Sequence, residues 1–153
     1  MAAQPAGDQA RIVVGVDGSD SSKAALAWAV RQAALTGAVV DAVTAWQIPS
    51  SYGWVLVEDG LDLEQLAASM LQTAIAEAAG QQPGVAIRPV VVHDNAARAL
   101  LDTAKGAELL VVGSRGHAGF TEALLGSVGQ YCVHHAECPV VIVRSPHAQG
   151  ADS

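Results

Sequence analysis

The residues best suited to chemistry are Gly113-Ser114-Arg115-Gly116-His117-Ala118-Gly119-Phe120, followed at a distance by Gly126-Ser127-Val128. Glycine at 113 and 116 lets main-chain nitrogen approach an anion where a Cβ would intrude, and it permits positive φ. Gly126 and Ser127 precede another apolar helical run, so Ser127 is expected to cap that helix with its N–H and hydroxyl turned towards the anion. One helix terminus contributes only about 0.3–1 kcal/mol to a nearby charge, whereas micromolar binding needs about 8 kcal/mol. Two helix starts, loop amides and the side chains of Arg115 or His117 must therefore act together to anchor a polyphosphate. A strand-to-helix turn that needs glycine only for backbone geometry is the plainer account, and it leaves Gly126-Ser127 without a purpose.

Two other groups have reactive side chains. Asp17, in Asp17-Gly18-Ser19-Asp20, reads equally well as a turn or capping residue and as a ligand-binding carboxylate. His134 and His135 lie near Cys132 and Cys138, which invites a metal site. Neighbours on a helix diverge by about 100°, so these four cannot all converge, and helix surface and core packing is the expectation. The two cysteines lack CxxC spacing and are expected to be buried free thiols.

Positioning such groups requires a scaffold, and the apolar patterning supplies one. Arg11 to Val16 is short and β-branched and predicts a buried strand, followed by a helix from about Ser21 to Thr36 with Leu26, Val30, Ala33 and Ala34 inward and Gly37 as its stop. Ala38 to Trp46 predicts the second strand, and Gln47 to Gly60, with Pro49 and Gly53, a long loop. From Leu61 to Ala79 the residues Leu63, Leu66, Ala67, Met70, Ala74, Ile75 and Ala78 recur at helical spacing. Val85 to Val92 is the third strand, Asn95 to Lys105 a short helix, Glu108 to Val112 the fourth strand and Pro139 to Val143 the fifth. The stretch before the fifth, as far as Ala136, is helix-competent. Alternating strands and helices demand right-handed crossovers and hence a mostly parallel, helix-covered sheet, with ligands beyond the carboxyl ends of the strands.

Composition narrows the partners. A chain of 153 residues supports one core, and residues 11–144 are expected to form a single domain between a flexible start (1–10) and a flexible tail (145–153). A net charge of −7 with eight basic residues offers no stripe for a nucleic-acid polymer and disfavours anionic lipid. A small polyphosphate remains compatible, because helix-start amides bind it locally. With neither an apolar spanning segment nor a signal-peptide core, the expected location is cytoplasmic.

With these residues in place, the chain resembles the universal stress protein family from Ile12 to Val143. The family's nucleotide signature, glycine, two residues, glycine, nine residues, glycine and then serine or threonine, is met by Gly113, Gly116, Gly126 and Ser127. Val14-Gly15-Val16-Asp17-Gly18-Ser19 and Cys138-Pro139-Val140-Val141-Ile142-Val143 match the family's first strand and ending. The resemblance implies an α/β three-layer open sandwich, adenine nucleotide alpha hydrolase-like, with a five-stranded parallel sheet in order 3-2-1-4-5. It also implies binding of ATP, or of ADP, AMP or cyclic AMP, with Mg²⁺ or Mn²⁺ possible alongside the nucleotide, and a homodimer through strand 139–143.

By the same resemblance Asp17 would hold the ribose or a nucleotide-bound metal, and the backbone of Gly15 and Val16 would border the ligand. Ala45 would meet adenine through its main chain. Gly113, Ser114, Arg115, Gly116 and His117 would wrap ribose and phosphates together with Gly126, Ser127 and Val128. Trp46, Tyr52 and Trp54 flank the long loop and read either as a lid near adenine or as loop packing. One departure stands out: Asp94-Asn95-Ala96 replaces the glycine-x-proline that many members carry after strand three. Three functions stay open: a nucleotide-binding stress sensor or regulator, a slow ATPase or phosphotransferase using Asp17 and a divalent metal, and a nucleotide-free dimeric interaction module. The chain has no Gly-Lys-Ser/Thr of a Walker A loop, which weighs against dedicated hydrolysis. Nor does Gly15-Val16-Asp17-Gly18 have the GxGxxG spacing of a dinucleotide fold.

Overall fold

The computed structural model describes residues 9–47, 57–114 and 126–145, with the side chains of 57–61 excepted. Its elements are β1 (Arg11–Gly15), α1 (Asp20–Thr36), β2 (Val39–Trp46), α2 (Val57–Ala79), β3 (Ile87–His93), α3 (Ala96–Thr103), β4 (Leu109–Gly113), α4 (Ser127–His135) and β5 (Val140–Val143). All pairings are parallel and the strand order is β3-β2-β1-β4-β5. The chain walks outward from β1 to β3, crosses back to β4 and continues outward to β5. Right-handed crossovers then place α1 and α2 on one face of the sheet and α3 and α4 on the other. The direction of winding reverses between β1 and β4, where open sheets of this class have their crevice.

The strands are apolar throughout because both faces are covered, yet side chains still alternate between two cores. Ile12, Val14, Val16, Val40, Ala42 and Val111 face α1 and α2, meeting Leu26, Ala29, Val30 and Leu71. Val13, Val43, Leu110 and Val112 face the other way, onto Ala99, Leu100 and Cys132.

Two helices differ in detail from expectation. On α1 the inner stripe is Ala25, Leu26, Ala29, Val30 and Ala33, and Ala34, a further 100° round, is exposed. On α2 the fully inward residues are Leu71, Ala74 and Ala78, whereas Leu66 is 66% exposed. Helix α2 also begins at Val57, a turn earlier than the pattern implied. Gly60 reads as a breaker, but one glycine costs a helix only about 1 kcal/mol, and the helix runs through it.

One charged residue interrupts the core strands. Asp41 on β2 has a side chain only 7% exposed, and its carboxylate accepts from Arg11 Nη1 at 3.0 Å and from Arg88 Nε at 2.6 Å. Arg11 also donates to Thr103 O (3.0 Å) and Lys105 O (2.6 Å), satisfying carbonyls at the end of α3. Hydrogen bonding to Asp41 raises the pKa of Arg88 above its ordinary value. The cluster sits at the strand starts, away from the crevice.

Candidate functional site

The candidate site gathers the carboxyl ends of β1, of β4 and of the neighbouring pair β2 and β3. At the first, β1 pairing continues one step past the strand: Val16 N donates to Val43 O and Val16 O accepts from Thr44 Oγ1, each at 2.8 Å. The chain then turns sharply at Gly18, whose φ of 85° is disfavoured for other residues. Asp17 organises this turn: its Oδ1 accepts from Ser19 N at 2.9 Å and from Ser19 Oγ at 2.6 Å, and its own N–H donates to Ser22 Oγ at 3.2 Å. Ser19 Oγ accepts in turn from Ser22 N at 3.2 Å, capping α1. The turn-and-cap account of Asp17 thus has a full set of partners, with the residue itself exposed at the crevice mouth.

At the second strand end, β4 delivers Gly113 and Ser114. Here packing alone already requires glycine. A Cβ on Gly113 would lie 2.6 Å from Ser21 C and Oγ and 2.8 Å from Ser21 O, so the residue is small to admit the first turn of α1. Its φ is not positive: among the described residues only Gly18, Gly37 and Gly106 have that conformation. Ser114 N donates to Val143 O, and Ser114 O accepts from Gly126 N, both at 2.8 Å. The two halves of the glycine pattern are therefore joined directly. Arg115, Gly116 and His117 fall outside the described residues, as do Tyr52 and Trp54.

Gly126, rather than Ser127, occupies the N-cap of α4, with φ −65° and ψ 162°, and among the described residues no side chain caps it. Ser127 is the first helical residue and exposed, and Val128 is half-buried. The exchange has a simple cause. Gly126 O accepts from Gln130 N at 3.0 Å, which opens the helix one residue earlier than a capping Ser127 would.

The third part comprises the ends of β2 and β3. Ala45 is half-buried, and Trp46 beside it stacks on His93, with ring centroids 4.1 Å apart and planes 8° from parallel. The pairing comes from the β2–β3 register and not from the flanking of the long loop by Trp46, Tyr52 and Trp54. Asp94 N donates to Trp46 O at 3.1 Å, and Asn95 caps α3 by accepting from Arg98 N at 3.1 Å. Asp94-Asn95-Ala96 therefore makes a short capped turn in place of glycine-x-proline.

The histidines and Cys132 of α4 do not form a ligand set with Cys138, and no group of three or more metal-ligating side chains occurs among the described residues. His135 stacks on Tyr131, with centroids 4.1 Å apart, and Cys132 is fully buried. Burial, with the neighbouring Cys138 adding to it, pushes the Cys132 thiol up to about 11. Cys138 is half-buried and its thiol is also raised by burial. No helix among the described residues is long and apolar enough to cross a membrane.

This geometry has known counterparts. The universal stress protein family model matches residues 10–144. Universal stress proteins Rv2623 and Rv2005c of Mycobacterium tuberculosis are 36% and 37% identical over 143 residues, 92% of this chain and 47% of each relative. The chain thus spans about half the length of the curated relatives it matches. A crystal structure of a universal stress protein in complex with cAMP superposes with a TM-score of 0.65 at 29% identity, covering 89% of this chain and 97% of the other. The strand order, the glycine pattern closed through Ser114 and Gly126, and the match over residues 10–144 agree: the chain belongs to the universal stress protein family.

Proposed function

We propose that this domain binds an adenine nucleotide, ATP foremost, across the β1/β4 crevice and acts as a stress-response sensor or regulator. The observation that carries the reading is the Ser114 O–Gly126 N hydrogen bond of 2.8 Å, which brings the uncapped start of α4 to the end of β4. An uncapped helix start has main-chain N–H groups to offer an anion. In this reading the phosphates meet the amides of Ser127 and Val128, with Gly113, Ser114, Arg115, Gly116 and His117 completing the wrap. Gly15 and Val16 border the ribose, Asp17 contacts it or a nucleotide-bound Mg²⁺ or Mn²⁺ through its carboxylate, and the main chain of Ala45 meets adenine. The similarity to a cAMP-bound relative supports the ligand class.

The test is a thermal-shift panel of ATP, ADP, AMP and cAMP, with and without Mg²⁺. At a hundred times Kd a ligand stabilises the fold by about 2.7 kcal/mol, roughly 5–11 °C for a domain of this size. No shift with any nucleotide at millimolar concentration would refute the reading.

A second, compatible reading is a homodimer through β5. This strand ends the sheet, and its four residues, all apolar, are half-buried. Such an edge is suited to pairing with a second copy. Sedimentation at micromolar concentration is expected to give the dimer mass, and a monomer would exclude it.

A further inference from the structure

The stacked pair at the ends of β2 and β3 has a direction that bears on the ligand. Trp46 and His93 are register partners on neighbouring parallel strands. Their rings lie 4.1 Å apart and nearly parallel, close to the strand spacing of about 4.8 Å, so the stacking axis runs from strand to strand across the sheet. One face of the indole is occupied by His93, on the β3 side. The other must then look back towards β1, over the turn that holds Asp17 and Gly18, which is the side of the crevice. Trp46 is half-buried and packed into neither core, so its position is not explained by the interior. His93 is exposed, and Asp94 N–H to Trp46 O fixes the backbone between the two.

The geometry points to Trp46 as a stacking wall for a purine base at the adenine end of the crevice, with His93 as the positioning residue that holds the indole upright. This rests on the nucleotide reading above and adds to it a residue that selects the base by the area of its π-face. A purine covers more of an indole than a pyrimidine does, so the wall favours AMP over CMP. Main-chain contacts at Ala45 alone would not grade bases by ring size.

Two measurements on the full chain separate the possibilities. Trp46→Leu is expected to weaken AMP binding by about tenfold to a hundredfold, the usual loss of one base–aromatic stack, while leaving pyrophosphate binding unchanged. His93→Ala should give part of that loss and His93→Phe should restore binding, because a phenyl ring can take over the support. With Trp28→Phe and Trp54→Phe leaving Trp46 as the sole tryptophan, its emission should respond to AMP and not to pyrophosphate. That second readout needs no change at Trp46, so it decides the matter even if Trp46→Leu misfolds. AMP binding to Trp46→Leu within twofold of the unaltered chain, or Trp46 emission indifferent to saturating AMP, would overturn the wall while leaving nucleotide binding intact. Failure of the unaltered chain to bind AMP at all would overturn the nucleotide reading and the wall together.

Discussion

Replacing Gly113 by alanine separates two explanations for the first glycine of the phosphate pattern. If glycine were needed only to let a phosphate approach, Gly113→Ala would leave the ligand-free fold intact and lower affinity alone. At ordinary φ it would even be slightly stabilising, by about 0.4–1 kcal/mol, through the unfolded chain. The structure leads to a different outcome. The added methyl would sit 2.6 Å from the backbone carbon of Ser21 and 2.8 Å from its oxygen, distances that real Cβ atoms do not keep. Backbone cannot rotate away as a side chain can, so the first turn of α1 must shift. Overpacking of this kind costs about 1–3 kcal/mol, which for a domain of this size lowers Tm by roughly 2–12 °C. The assay is thermal unfolding without nucleotide, of Gly113→Ala alone and combined with Ser21→Ala. Removing the Ser21 hydroxyl should rescue little, since the closest backbone atoms remain. A Gly113→Ala chain melting at or above the parent temperature, or one fully rescued by Ser21→Ala, would refute the argument.

Three further outcomes follow from other parts of the molecule. Asp41→Asn removes the carboxylate shared by Arg11 and Arg88. It should cost about 1–3 kcal/mol in urea unfolding, whereas Arg88→Ala, at a half-exposed site, should cost less than about 1 kcal/mol. Asn95→Ala deletes the α3 cap and should lose about 1 kcal/mol, detectable as earlier hydrogen exchange in residues 96–103. The Cys132 thiol, raised from 9.0 to about 11, holds its proton in the folded state where the unfolded chain gives it up. Its contribution is therefore complete below pH 9 and falls away as pH rises towards 11, and Cys132→Ala should flatten that slope in unfolding measured across the range.

Much of the scaffold was legible because β-branched runs between helical periods constrain it tightly. All five strands fall within two residues of their expected limits. The strand order was not read from periodicity, which is silent on neighbours; it followed from resemblance. What periodicity missed was rotation and register. Ala34 and Leu66 fit a helical stripe on paper, but the stripe that meets the sheet is turned away from them. The stack of Trp46 on His93 depends on the β2–β3 register, which no local pattern encodes. One missed feature did leave a signal: Asp41 in the otherwise apolar start of β2, Val39-Val40-Asp41-Ala42-Val43, had to be paired if buried, and the arginines at the starts of the flanking strands were the available partners. For the candidate site, the packing of Gly113 against Ser21 and the N-cap at Gly126 rather than Ser127 arise from tertiary contacts that the glycine signature does not encode.

The hydrogen bond between Ser114 and Gly126 also bears on how such a domain can diversify. It ties the end of β4 to the start of α4 by main chain alone, so this junction does not depend on any side chain. A side-chain substitution between these two anchors can therefore change what is offered to a ligand while the bond that joins strand to helix stays as it is.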